Sequence, residues 1–211
     1  MTTSAKFQLL CAALLTLGPL AASPMERSSK PYVVLDKTLS QLRADFNANV
    51  GKVRMLYIVG PTCGICLRGL SDLQEALYSK KGDDPRLVTF VVHVPTLGAR
   101  ENSVAEATQL ISNRYTTNYW EETGIVGRLI QQSMGFSKYT WDYWTIYDTS
   151  TIWSDDRMPT PAFWQHQLSG LPVDHKLDAT AFAAKVDEML AHIAPTAAGS
   201  GKSTDAIARP Q

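Results

Sequence analysis

Val53-Arg54-Met55-Leu56-Tyr57-Ile58-Val59-Gly60-Pro61-Thr62-Cys63-Gly64-Ile65-Cys66 is the stretch on which the fold of this chain turns. Its first seven residues are almost continuously apolar and end at turn formers, which predicts a central parallel strand buried on both faces. Gly60-Pro61-Thr62 breaks the strand, and two cysteines follow at its C-terminal end, where chemistry collects in open α/β sheets. Cysteines three apart on a helix share a face, and the unpaired N–H groups of a helix N-terminus stabilise a thiolate there. Leu70, Leu73 and Leu77 continue the register of Cys66 to about Ser79, which turns Cys66 inward and Cys63 toward solvent.

Upstream, residues 32–35 read as a short strand, and Thr38-Leu39-Ser40-Gln41 as a capping box opening a helix with Leu39, Leu42, Phe46 and Val50 on its apolar face. Downstream, residues 80–85 form a polar turn and residues 87–94 a second strand rich in β-branched side chains. Strand, helix, strand in that order implies a parallel pair with a right-handed crossover. Two helices are then expected, over residues 103–115 and 123–134, with Tyr119-Trp120-Glu121-Glu122 between them. Residues 143–147 read as a strand, Asp148-Thr149-Ser150 as a turn and Thr151-Ile152-Trp153 as its hairpin partner. Asp178 caps a closing helix whose core face is Phe182, Val186, Met189, Leu190 and Ile193.

The composition sets bounds on function. The 211 residues are 45% hydrophobic, enough for one sizeable core, which is expected over residues 31–194. Lys plus Arg and Asp plus Glu balance at 20 each, so no global charge favours nucleic acid, and the aromatics of the second half lack the interleaved cations of a stacking surface. Lys6 and the apolar stretch from Phe7 to Ala22 have the form of an export leader, residues 1–23, cleaved or kept as an N-terminal anchor. It is short for a membrane span. An exported, periplasmic or cell-envelope location follows, with membrane attachment if the leader stays. Residues 195–211 are expected to be a disordered tail. Within it, Gly199-Ser200-Gly201-Lys202-Ser203-Thr204 imitates a phosphate loop but lacks the first glycine, where Thr196 stands, and lacks a preceding strand. Without the leader and its Cys11, Cys63 and Cys66 are the only cysteines, so they do not belong to a disulfide framework.

The order of elements, with Cys63-Gly64-Ile65-Cys66 at the start of the helix after a central strand, resembles the thioredoxin-like superfamily from about Tyr32 to Ile193. Gly60-Pro61-Thr62-Cys63, Tyr119-Trp120, Trp141-Asp142 and Phe163-Trp164-Gln165-His166-Gln167-Leu168 are similar to an uncharacterised bacterial branch of it. The resemblance implies an α/β fold, a three-layer α/β/α sandwich on a mixed central sheet, here with an insertion before the last helix. It also implies thiol-disulfide exchange without a cofactor beyond the redox-active disulfide, Cys63 as nucleophile, Cys66 as resolving thiol, and protein or small-molecule thiols and disulfides as partners.

Three departures bear on the chemistry. Thr62 stands where the family has tryptophan. The family's buried carboxylate, six residues before the first cysteine, falls on Tyr57, which predicts slow resolution for want of a base. The cis-proline that the family packs against its cysteines has no counterpart in Tyr139-Thr140-Trp141-Asp142, so Trp141 is expected beside the dithiol, with Pro159 or Pro161 as alternatives. The insertion, residues 154–176, is long enough to serve as a lid or binding loop, or as a plug of aromatics on the sheet edge. Pro61, Thr62, Gly64, Ile65, Trp141, Trp164 and His166 are therefore the candidate site-lining residues. The alternative function is a metal-binding or partner-binding module without redox turnover, resembling a copper chaperone, with Cys63, Cys66 and His166 as ligands.

Overall fold

The computed structural model describes residues 30–193 except 112; the expected leader and tail lie outside the described residues. A six-stranded mixed sheet runs β1-β4-β3-β2-β5-β6. Its strands are β1 (Val33–Val34), β2 (Val53–Val59), β3 (Leu87–His93), β4 (Thr116–Trp120), β5 (Tyr143–Tyr147) and β6 (Phe163–His166). β1 to β4 are mutually parallel where they pair, and β5 and β6 are antiparallel to their neighbours. The helices are α1 (Ser40–Ala48), α2 (Gly64–Leu73), α3 (Ile125–Met134) and α4 (Ala179–Ala191). A π turn, Gln74–Tyr78, and a last α turn, Ser79–Lys81, prolong α2.

Alternation along the strands divides the core into two layers, as a sheet covered on both faces requires. Met55, Tyr57, Val59, Trp144 and Ile146 meet α2 and α4 through Leu70, Leu73, Phe182 and Val186 on one face. Leu56, Ile58, Phe90, Tyr143 and Tyr147 meet α1 and α3 through Leu42, Phe46, Val126 and Ile130 on the other. The expected α/β/α sandwich is thus present. Among the described residues, no helix is long and apolar enough to cross a membrane.

Arg54 is the charged exception in an otherwise apolar strand, and its side chain is buried. Its guanidinium lies 4.3 Å from the Phe46 ring and donates to the carbonyls of Phe46 (3.2 Å), Asp148 (2.6 Å) and Thr149 (3.2 Å). Each of these carbonyls also accepts a backbone N–H, and its second lone pair supplies a partner to the buried cation.

Four local expectations are corrected. The capping box does not form: Asp36 instead accepts from the Thr38 amide and hydroxyl and from the Ser40 hydroxyl, while Leu39 turns left-handed. α1 ends at Ala48, so Val50 is 44% exposed. The helix expected over 103–115 is a 3-10 turn, Glu101–Ser103, with one α turn, Val104–Ala107, and the chain then enters β4, an unforeseen strand. The hairpin partner of β5 is Phe163–His166, inside the supposed insertion, rather than Thr151–Trp153. Asn47 explains the displacement: its side chain accepts from the Trp153 amide and donates to the Trp153 carbonyl, holding that segment against α1.

Candidate functional site

Cys63 occupies the N-cap of α2 with extended backbone, and its sulfur accepts the backbone N–H of Cys66 at 3.4 Å. That is the role a serine or aspartate oxygen takes at other helix starts, so charge developing on this sulfur meets helix N–H groups. Both thiols are free. Cys66 is completely buried, and Cys63 retains 2% exposure rather than the open orientation expected from the helical register. The Gly60-Pro61-Thr62 turn explains the difference, because Thr96, Trp141 and Cys63 converge on Gly60, where a Cβ would lie 2.3 Å from Thr96 Oγ1 and 3.5 Å from the Trp141 ring. Both thiols are buried, and the N-cap position of Cys63 is what distinguishes them.

Thr62, Gly64 and Ile65 are the exposed residues next to Cys63 in the chain, Ile65 at 47% exposure. Pro61 and Thr62 also border a cleft of about 650 Å³, whose other walls include Leu67, Arg68, Asn102 and Glu106. Trp141 is half-buried between the two core layers and packs at the Gly60 turn, where it was expected. Pro159 and Pro161 precede the Phe163 end of β6, which pairs with Ile146 at the far end of β5. No cis peptide bond occurs among the described residues.

Trp164 and His166 belong to the opposite face. They pair with Thr145 and Tyr143, whose side chains alternate away from the Trp144 face that carries the dithiol. Trp164 stacks on His175 at 3.8 Å and packs against Phe136 and Tyr143. His166 is buried with both ring nitrogens engaged: Nε2 donates to the Pro172 carbonyl at 2.9 Å and Nδ1 accepts from the Leu168 amide at 3.0 Å. It is a structural histidine, and its assignment as a third ligand is withdrawn.

The group that does join the cysteines is Asp142. One of its carboxylate oxygens and the two sulfurs all lie within 4.8 Å of one another. Asp142 is fully buried at the entry to β5, with left-handed backbone (φ 52°), uncommon for a residue other than glycine. Its Oδ1 accepts Trp144 Nε1–H at 2.9 Å. With the amide oriented to satisfy both neighbours, Gln167 donates to the same Oδ1 at 2.9 Å and to the Ile65 carbonyl at 3.1 Å. Gln167 follows β6 directly, so the tail of the supposed insertion reaches the site. Gly69 makes room: a Cβ there would sit 2.7 Å from both the Trp144 ring and the Gln167 side-chain amide. Two sulfurs and one carboxylate make three donors of a possible tetrahedral set.

Burial pushes the Asp142 carboxyl up to about 6, against the opposing pull of Trp144, Cys66 and the Lys176 charge. Burial, then the nearby Asp142 charge, then Cys63, push the Cys66 thiol strongly up. At the end of β3, His93 is buried with Nε2 against Asn118 Oδ1 at 3.0 Å, and burial pushes it down to about 4.

Asp142 and His93 set opposite acid responses. As pH falls from about 6.5 toward 4, the unfolded chain protonates His93 first, and stability is lost. As pH falls from about 6 toward 3.8, the folded chain protonates Asp142 first, and stability is gained. Each effect is worth about 3 kcal/mol, so they nearly offset in the native protein. Asp142→Asn removes the gain. Urea unfolding across this range is expected to show the variant losing about 3 kcal/mol more than the native protein between pH 6.5 and 4. Parallel losses in the two proteins would contradict the assignment.

No family model and no curated protein matches the chain. Among solved structures, it is similar to a protein disulfide isomerase candidate from Bacteroides thetaiotaomicron, with TM-score 0.47, 12% identity, and coverage of 69% of this chain and 78% of the other. A secreted Mycobacterium tuberculosis disulfide oxidoreductase homologous to E. coli DsbE gives TM-score 0.42, 12% identity, and coverage of 67% and 84%. The exposed lipoprotein thioredoxin Etrx1 of Streptococcus pneumoniae gives 0.39, 18%, and coverage of 67% and 87%.

Proposed function

We propose that this protein is a thiol-disulfide oxidoreductase, with Cys63 as nucleophile and Cys66 as resolving thiol, acting on protein or small-molecule disulfides. The observation that carries this reading is the Cys63 sulfur at the N-cap of α2, accepting the Cys66 N–H, with the second thiol behind it. Attack by the Cys63 thiolate on a disulfide gives a mixed disulfide and releases one thiolate. Cys66 then attacks the Cys63 sulfur, the internal disulfide forms and the second thiolate leaves. The two sulfurs carry the electron pair, so the reaction draws on no further cofactor.

Thr62, Gly64, Ile65 and the cleft beside Pro61 are the surface a substrate would meet, with Trp141 walling the turn. The apolar stretch from Phe7 to Ala22 supports an exported protein, periplasmic or held at the cell envelope by its leader. The test is reduction of a small aromatic disulfide by the full chain. Reduction of one disulfide per pre-reduced chain, lost in Cys63→Ser, is the expected result, and reduction that persists there would remove the proposal.

A further inference from the structure

We propose that Asp142 takes the proton of the Cys66 thiol as Cys66 attacks the mixed disulfide on Cys63, and that Gln167 and Trp144 hold the carboxylate in place for this transfer. The proposal rests on the redox reading above and adds the proton acceptor that reading lacks. Tyr57 cannot supply it: its hydroxyl is buried, 2.8 Å from the Tyr78 hydroxyl and 3.2 Å from Met55 Sδ. Tyr78 in turn meets Thr89, so this chain of hydroxyls runs along the core away from the sulfurs.

Asp142 has the geometry for the task. Its Oδ1 holds two donors, whereas its buried Oδ2 has no hydrogen-bond partner. A buried carboxylate oxygen without a donor is costly unless a donor reaches it. The two thiols, whose sulfurs lie within 4.8 Å of one of the carboxylate oxygens, are the donors at hand. The left-handed backbone at Asp142 is strain of the kind that persists where surrounding contacts over-determine it. Those contacts are the Gln167 amide donating to the Asp142 carbonyl at 3.3 Å and the two side-chain donors on Oδ1. The ionisable groups facing the carboxylate are Cys63 and Cys66 from α2 and Lys176 from the segment before α4; Trp144 and Gln167 add neutral donors. A buried carboxylate with a free oxygen, in one cluster with the buried thiol that must lose its proton, is a base placed against its acid.

The step balances. The Cys66 S–H proton passes to Asp142, the Cys66 sulfur bonds to the Cys63 sulfur, and the bond from Cys63 to the substrate sulfur breaks with its electron pair. The leaving thiolate then takes a proton from Asp142 or water. Cys63 and Cys66 end oxidised and the substrate reduced.

The test separates the two steps in the full chain by stopped-flow mixing with a small aromatic disulfide. Cys66→Ser alone, and combined with Asp142→Asn, measures attack by Cys63; Asp142→Asn with Cys66 intact measures resolution. Attack within about threefold of Cys66→Ser, with resolution slowed by about 100-fold or more, is the expected result. The native resolution rate should also fall as pH drops through about 6, an inflection that Asp142→Asn loses. Normal attack with unchanged resolution overturns the inference and leaves the redox reading standing. No adduct in Cys66→Ser overturns the redox reading itself. Should Asp142→Asn fail to fold, Gln167→Leu removes one donor from the carboxylate and is expected to move the inflection to higher pH; an unmoved inflection overturns the inference.

Discussion

Cys66→Ser protein exposed to excess small disulfide is expected to accumulate a covalent adduct on Cys63 that persists for as long as no external thiol is added. Cys63 keeps its N-cap position and can still attack, but its partner sulfur is gone. A resolving thiol held within 4.8 Å acts at an effective concentration of about 10⁵ M or more, against which millimolar free thiol is weak. Release of the adduct should therefore slow by at least about 1000-fold. Intact-mass analysis of quenched samples reads it directly in protein that also carries Cys11→Ser: one adduct per chain in Cys66→Ser and none in Cys63→Ser. Adducts appearing equally in both variants would mean that capping does not distinguish the two sulfurs.

The second large effect is on stability. Trp144 is fully buried, lies 5.0 Å from the Tyr57 ring, fills the space left by Gly69 and donates to Asp142. Trp144→Ala opens a cavity under α2 and removes a donor from a buried carboxylate. A loss of about 3–5 kcal/mol is expected from the cavity alone. Domains of this size are stable by only about 5–15 kcal/mol, so the variant should sit near the edge of folding. Trp144→Phe keeps most of the packing but not the N–H, and should cost clearly less. Urea unfolding of the two variants measures the split. A Trp144→Ala midpoint close to the native one, with unchanged slope, would show that this ring does not hold the dithiol helix in place.

The legible part of the fold lay where one pattern spoke for both local and tertiary structure. Val53 to Val59 is apolar throughout because the strand is covered on both faces, and β3 repeats that signature beside it. The Cys66, Leu70, Leu73 register survives because the helix is amphipathic over its own length. β4 was hidden because Val104, Thr108, Ile111 and Tyr115 fit a helical period although the helix stops at Ala107. Thr116, Thr117 and Tyr119 carried the contrary β-branched and aromatic signal. The hairpin misled for a related reason, since a nearby partner is the usual choice and the true one lies beyond a long loop pinned to α1.

Within the site, the cysteines and Trp141 were legible from the turn and from the missing proline. Trp164 and His166 were not separable from it without the register of β6, because period-two alternation assigns faces only once the pairing is known. Asp142 had no motif of its own. Its trace in the sequence was indirect: a base absent at Tyr57, and a lone carboxylate at the start of a strand that pairs antiparallel to β2 and so begins beside its C-terminal end.

The most direct measurement of the central claim is a redox titration of Cys63 and Cys66, in the full chain carrying Cys11→Ser, against defined ratios of reduced to oxidised glutathione, read by mass after alkylation of free thiols. A single two-electron transition, in which both thiols disappear together into an internal disulfide, is the result expected of a sulfur pair built to exchange. Two independent one-thiol reactions that leave stable glutathione adducts, or thiols that remain reduced at every ratio, would contradict it.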